Sequence, residues 1–300
     1  MSNVLRKVML AVPGLRQLVL LVDVLSNISD TLTEIRHELS KSPAVLASQQ
    51  AEQAFSQSQR YQDPKRLLSS AFKIHSQNGE DGMIAEIFRR IGHTSKVFVE
   101  IGVGDGRECN SAFLLACGWT GYWIDCKGEM NDALRRQTPS VRDRLTTVHV
   151  MVTAENVDSI LERQKIEKEF DFLSIDIDQN TYYVWKALSR YRPCVVVIEY
   201  NPLLPAATDW KVNYSPDRVW DGSSNYGASL FALERLGFEL GYNLVGCDYS
   251  GTNAFFVRAD LVGNHFAMPF TAENHYEPAR LVTPQVRFHK TELLDWPAPD

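Results

Sequence analysis

Five acidic residues stand where apolar runs end. Glu100 closes VFVE, Asp125 closes GYWID, Asp176 and Asp178 close FLSIDID, and Glu199 closes VVVIE. Carboxylates beside such runs are costly to bury unless they are paired or hold a cation, so each is a candidate for chemistry. Glu100 also opens a run of alternating glycines, E-x-G-x-G-x-G, which ends at Gly106. Glycines there permit a tight turn and close approach of backbone to a ligand. A dinucleotide fingerprint needs its third glycine one residue later, where Arg107 stands, and a P-loop needs a Gly-Lys-Ser/Thr that does not follow. A carboxylate two residues ahead of the first glycine suits a positively charged ligand better than a pyrophosphate.

The elements that must position these acids follow from periodicity. DGMIAEIFRRIG, NSAFLLACG, MNDALRRQ, VDSILERQKI, YVWKALSRY and YGASLFALERLGFELG repeat at helical spacing, while KVFVEIG, GYWIDC, TTVHVMVT, FDFLSIDID and CVVVIEYN are apolar strands. Helices alternating with strands predict an α/β fold with a mostly parallel sheet covered on both faces. The closing YNLVGCDYSGTNAFFVR, two apolar runs around a turn-rich centre, predicts an antiparallel hairpin. In such a sheet ligands bind outside the carboxyl ends of the strands, which is where all five acids fall.

The glycine turn, the acid at the end of the second strand and the terminal hairpin together resemble the class I S-adenosylmethionine-dependent methyltransferases. The SQNGED stretch (Ser76–Asp81), the D-x-D of IDID and the E-Y-N of VVIEYN are similar to the FkbM-type methyltransferases and their relatives from bacterial surface-polysaccharide gene clusters. The resemblance covers roughly Lys73 to Arg258. It implies a Rossmann-like methyltransferase sheet, S-adenosylmethionine at Glu100, Gly102, Gly104 and Gly106, and the ribose hydroxyls on Asp125. The placement of Asp125, about 20 residues past the glycines, agrees with an acid on a ribose diol. It further puts Asn156 or Glu155 near the adenine, with capping of the following helix as the alternative role for Asn156. Gln77, Glu80 and Asp81 are expected to close over the cofactor. Gln179 stands where the family usually carries glycine.

Many members of that family methylate a sugar hydroxyl, a weak nucleophile that needs a positioned base or a metal that acidifies it. Asp176, Asp178 and Glu199 could supply either, with a structural acid network as the alternative. As metal ligands, together with Asn201, they offer only oxygen and imply Mg²⁺ or Mn²⁺. His75 is a further candidate base, with a hydrogen-bonded loop histidine as the alternative. VWDGSSNYGASL (Val219–Leu230) follows the fifth strand, where acceptor contacts are expected; Trp220, Asn225 and Tyr226 suit a carbohydrate and equally suit a turn into a helix. Trp210, Tyr214 and His275 are of the same kind.

The chain's 300 residues are 44% hydrophobic with a net charge of −6, which gives a nucleic-acid role no electrostatic support. Its five cysteines match no zinc spacing. The basic and apolar N-terminus is interrupted by Pro13, Gly14, Arg16 and Asp23, and its longest clean apolar run, Leu18–Val22, is too short to span a bilayer. It reads as retained. From Leu18 to Leu39, leucines and isoleucines form an a/d heptad series. Leucine at a with isoleucine at d favours a homo-oligomer of three or four chains over a dimer. A helix packed on its own domain and a membrane-surface helix are the alternatives. The expected organisation is a helical segment and linker over 1–64, a methyltransferase domain over 65–264 and an irregular tail over 265–300. The expected location is the cytoplasm or the inner membrane face. The functional expectation is O-methylation of a sugar or glycan acceptor in surface-polysaccharide synthesis. Its rivals are a small-molecule or lipid-linked methyltransferase and a catalytically degenerate scaffold.

Overall fold

The computed structural model describes residues 58–129 and 139–280. The heptad series, the helix expected at MNDALRRQ and the last twenty residues of the tail lie outside the described residues.

The strands are β1 (Val97–Ile101), β2 (Thr120–Asp125), β3 (Leu145–His149), β4 (Phe172–Ile175), β5 (Val195–Glu199), β6 (Tyr242–Cys247) and β7 (Asn253–Arg258). They form a sheet in the order β3-β2-β1-β4-β5-β7-β6. β1 to β5 pair in parallel, and β7 pairs antiparallel with both β5 and β6. The hairpin therefore folds back so that β7 lies inside it and β6 forms the edge. This is the mostly parallel, Rossmann-like sheet with an antiparallel C-terminal pair that the sequence predicts.

The helices, in chain order, are α1 (Gln59–Gln62), α2 (Glu80–Ile91), α3 (Ala112–Ala116), α4 (Pro139–Arg142), α5 (Val157–Arg163), α6 (Thr181–Ala187), α7 (Leu230–Leu240), α8 (Ala259–Val262) and α9 (Ala272–His275). Alternating residues of each strand face opposite sides, and the core divides accordingly. Val99, Ile101, Ile124, Leu173, Ile175, Val196 and Ile198 meet α5, α6 and α7 through Ile160, Leu161, Val184, Trp185, Leu233 and Leu236. Phe98, Trp123, Phe172, Val195, Val197 and Phe255 meet α2 and α3 through Met83, Ile84, Ile87, Phe88, Leu114 and Leu115. Both faces are apolar, which is why these strands read as continuous apolar runs rather than alternating ones.

Helix ends carry their own signals. Ser229 caps α7, its hydroxyl accepting the Ala232 N–H at 3.2 Å, and Gly241 in a left-handed conformation ends it. Residues 265–280 pack onto the domain: Phe266, Ala272, His275 and Glu277 are buried, and Glu277 is held by Arg60, Tyr61 and Arg280.

Chain order reverses between β1 and β4. β1 continues outward to β2 and β3, whereas β4 returns to β1's other side. Such a switch point leaves a crevice at the carboxyl ends of the two strands. β1 ends there in the glycine turn and β4 in Asp176.

Candidate active site

A cavity of about 550 Å³ opens at this switch point, inside the range of about 300–1,000 Å³ usual for ligand sites. Gly102 and Gly104 from β1, Asp125 and Lys127 from β2, and Val150, Met151 and Val152 after β3 line one part of it. Asp176, Ile177, Asp178 and Asn180 after β4, and Arg218, Val219 and Trp220 from the β5–α7 connection, line the rest.

Gly102 explains the first glycine of the motif. Its φ is +89°, and a Cβ there would sit 1.5 Å from the Asp176 carbonyl oxygen, so only glycine lets the β1 turn pass the end of β4. Asp125 then holds the turn: one carboxylate oxygen accepts the Gly104 N–H at 2.8 Å and the other the Lys127 N–H at 2.6 Å. Each oxygen keeps capacity to accept a further hydrogen bond, as a ribose diol requires, and Asp125 lines the cavity. Gly106 closes the loop by donating to the Val103 carbonyl at 3.2 Å.

Glu100 is placed differently from its expected contact with the cofactor. It shares the α2 face of β1 with Phe98, and only 4% of it is exposed. Its carboxylate accepts the N–H groups of Asn110 at 2.8 Å and Ser111 at 2.9 Å, together with the Ser111 hydroxyl. Burial pushes this carboxyl's pKa up, and those hydrogen bonds oppose the shift. Glu100 thus ties the glycine turn to the start of α3 and does not line the cavity.

The SQNGED stretch is likewise built into the scaffold. Asp81 accepts the N–H groups of Ile74, His75 and Ser76 at 2.7, 2.6 and 3.0 Å. Glu80 accepts from the Asn78 N–H at 2.6 Å and from the Asn253 amide of β7 at 2.8 Å. Both acids sit in the first turn of α2, where the helix dipole favours them. Gln77 is exposed, and His75, Gln77 and Glu80 are absent from the cavity lining. Asn156 folds the turn after β3: its side-chain oxygen accepts the Thr153 N–H at 2.8 Å and its amide donates to the Met151 carbonyl at 2.9 Å. It shapes the wall at Met151 without lining the cavity itself.

The carboxylates after β4 and β5 do converge. Oxygens of Asp176, Asp178 and Glu199 all lie within 4.8 Å of one another. Desolvation, then the charge of Asp178, raises Asp176 to about 7. Burial and the Asp176 charge push Glu199 well above the carboxylate range, and burial raises Asp178 against the pull of Lys127. Like charges this close cannot all ionise, so the trio holds protons or a cation. Tyr226 stands beside it; burial and then the charges of Glu199, Asp178 and Asp176 raise its phenol.

Asp178 adopts φ +59°, and the Gln179 N–H donates to the Ile177 carbonyl at 2.7 Å across it. This is a γ-turn of the strained, positive-φ kind, worth roughly 1–3 kcal/mol of strain. It turns Asp178 back toward Asp176. Gln179, at the family's glycine position, is 1% exposed and donates to the Asn225 carbonyl at 3.3 Å. Its side chain enters the β5–α7 connection and leaves the cavity clear.

The trio fits a hard divalent cation. Its donors are all oxygen, and the Glu199 Oε2 is buried without a hydrogen-bond partner. Asn201 does not join it. Its buried amide donates to the Ser224 and Tyr226 carbonyls at 2.9 and 3.0 Å, and its oxygen accepts the Leu203 N–H at 3.1 Å. Of the aromatic candidates, Trp220 lines the cavity and stacks edge-on to Tyr226 with centroids 6.0 Å apart. Tyr214 pairs with Glu155, while Trp210 and His275 are core residues. Lys127, Met151, Asn180 and Arg218 escaped the sequence reading because no local pattern distinguishes them; only tertiary folding brings them to one cavity.

The profile of the FkbM methyltransferase domain matches residues 77–240, more than half of the chain. The chain belongs to the FkbM methyltransferase family. Its S-adenosylmethionine dependence follows from that membership. Similar solved structures include the glycopeptide N-methyltransferase MtfA complexed with S-adenosyl-L-homocysteine, at 14% identity over 64% of this chain and 95% of that one, TM-score 0.39. Another is a Geobacter sulfurreducens S-adenosylmethionine-dependent methyltransferase with S-adenosyl-L-homocysteine, at 19% identity over 60% and 70%, TM-score 0.37. A third is the CcbJ methyltransferase from Streptomyces caelestis, at 12% identity over 65% and 97%, TM-score 0.38. No curated protein matches this FkbM-type sequence. Among the described residues of this methyltransferase, no helix is long and apolar enough to cross a membrane.

Proposed function

We propose that this FkbM-type enzyme methylates a sugar hydroxyl, in the assembly of a bacterial surface polysaccharide at or near the inner face of the membrane. The observation that carries this reading is the convergence of three carboxylates: Asp176 and Asp178 line the cavity with Gly102 and Asp125, and Glu199 lies within 4.8 Å of both behind them. S-adenosylmethionine supplies a methyl group on a sulfonium, which needs no acid to leave. What the protein must provide is therefore orientation and a destination for the acceptor's proton.

Asp125 and the glycine turn hold the adenosyl end, and the carboxylates receive the acceptor hydroxyl. Asp176, poised to ionise near neutrality, takes the proton onto a carboxylate oxygen as the hydroxyl oxygen bonds to the methyl carbon and the methyl carbon–sulfur bond breaks, its electron pair leaving with S-adenosylhomocysteine. Glu199 and Asp178 hold the proton's new position by hydrogen bond and charge. Asp176, Asp178 and Glu199 would alternatively bind Mg²⁺ or Mn²⁺, which would lower the pKa of the acceptor hydroxyl.

The test is Asp176→Asn. It should leave S-adenosylhomocysteine binding within about twofold and reduce methyl transfer by about 10²–10⁴, the range expected for a lost general base. Turnover near wild type would overturn the assignment. Activity undiminished in EDTA would select the base over the cation.

A further inference from the structure

The part of the cavity contributed by the β5–α7 connection differs in chemistry from the carboxylate trio. Arg218 is half-buried there, and among the described residues its side chain makes no hydrogen bond or ion pair. The exposed Asp221 feels its charge only as a minor influence. Trp220 follows two residues on, 39% exposed, with its indole N–H bonded to the Ser223 carbonyl at 2.7 Å. That bond fixes the ring. Asn180 is 5% exposed and lines the same cavity. Its amide nitrogen donates to the Ser215 carbonyl at 2.8 Å, which sets its orientation, and its Oδ1 is buried with no partner. A buried acceptor left open in a ligand cavity points to a donor that arrives with the ligand.

Three recognition elements thus sit together: an oxygen for a hydroxyl, an aromatic face for a ring and a guanidinium for an anion. A neutral sugar would use the first two and leave Arg218 unmatched. An anionic substituent is drawn to Arg218 and gains no such partner among the acids of the trio, which orients the molecule with its hydroxyl inward. A guanidinium matches phosphate in geometry as well as charge. We propose that Arg218, Asn180 and Trp220 form the acceptor subsite and that the acceptor is a glycosyl phosphate, methylated on the sugar while Arg218 holds the phosphate. This rests on the sugar O-methyltransferase reading and names its substrate class.

The test uses the full chain saturated with S-adenosylhomocysteine. α-D-glucose 1-phosphate, inorganic phosphate and methyl α-D-glucoside are titrated by calorimetry. The phosphate-bearing sugar should bind at least about tenfold tighter than the glucoside, as a charge-assisted pair provides. Arg218→Met should erase that difference, and Arg218→Lys should keep part of it. Asn180→Ala should weaken glucose 1-phosphate while leaving inorganic phosphate unchanged. Parallel arms with UDP-glucose and with phosphatidylcholine vesicles carrying a glucosyl polyprenyl phosphate separate a nucleotide source of the phosphate from a lipid one, and Arg218-dependent binding in either arm supports the proposal. Equal binding of glucoside and sugar phosphate, a preference that survives Arg218→Met, or no phosphate-dependent binding in any arm would overturn it. S-adenosylhomocysteine affinity serves as the control. If it is intact in every variant, the subsite falls alone; if it is missing in wild type, the methyltransferase reading fails first.

Discussion

At the scale of single residues, the site depends on where carboxylates are allowed to keep their protons. The pKa of Asp176 is raised to about 7, and the charge of Asp178 is its second cause after desolvation. The folded state therefore binds more protons than the unfolded chain between pH about 4 and 7, so this residue works against stability as pH rises through that window. Carboxyl ¹³C resonances should show a midpoint near 7, and Asp178→Asn should lower it by removing the like charge. Millimolar Mg²⁺ or Mn²⁺ should depress the midpoint further if the trio binds the cation; an unmoved midpoint would exclude it. Gly102→Ala is expected to destabilise the fold by more than about 3 kcal/mol, because its Cβ would overlap the Asp176 carbonyl. A melting temperature within about 2 °C of wild type would refute that packing account. Glu100 shows the limit of reading residue by residue. Its position before the glycines was legible, but its direction was not: the alternation of a strand buried on both faces sends it toward Ser111, away from the cavity.

At the scale of elements, the α/β alternation was legible throughout the described domain, because apolar strands covered by helices leave a periodic trace. Val157–Arg163 and Leu230–Leu240 fall within the segments whose spacing indicated helices. The hairpin was legible as two runs, but not the placement of β7 between β5 and β6, which is a matter of pairing and not of pattern. The connection from Asn201 to Ala228 was the least legible. Its Trp210 packs with Leu204 and Val212 in a small core of its own, and its bonds run to distant positions such as Gln179, Asn180 and Tyr183. Helix α9 carries a pH dependence of its own. His275 is buried against the Ala267 carbonyl and its pKa is lowered to about 4. The unfolded chain binds the proton more readily, so this residue's contribution to stability is full above pH about 6.5 and falls as pH drops toward 4. The loss is on the order of 3 kcal/mol. Denaturant unfolding at pH 7 and 4.5 should show it, and His275→Gln should flatten the difference. An equal slope in the variant would remove His275 as the cause.

At the scale of the whole molecule, the a/d series of Leu18–Leu39 supports a proposal of assembly into a trimer or tetramer. Deleting residues 1–45 should lower the mass measured by light scattering to that of a single chain; an unchanged mass would return the segment to intramolecular packing. The central claim is that one cavity joins a cofactor side built on Asp125 to a chemical side built on Asp176. Calorimetric titration of S-adenosylhomocysteine into wild type, Asp125→Ala and Asp176→Asn tests it most directly. One molecule should bind per chain, Asp125→Ala should weaken binding about 10–100-fold by removing the hydrogen-bond acceptors for the ribose hydroxyls, and Asp176→Asn should bind as wild type does. Absence of binding in the wild type, or an Asp125→Ala affinity equal to it, would contradict the account.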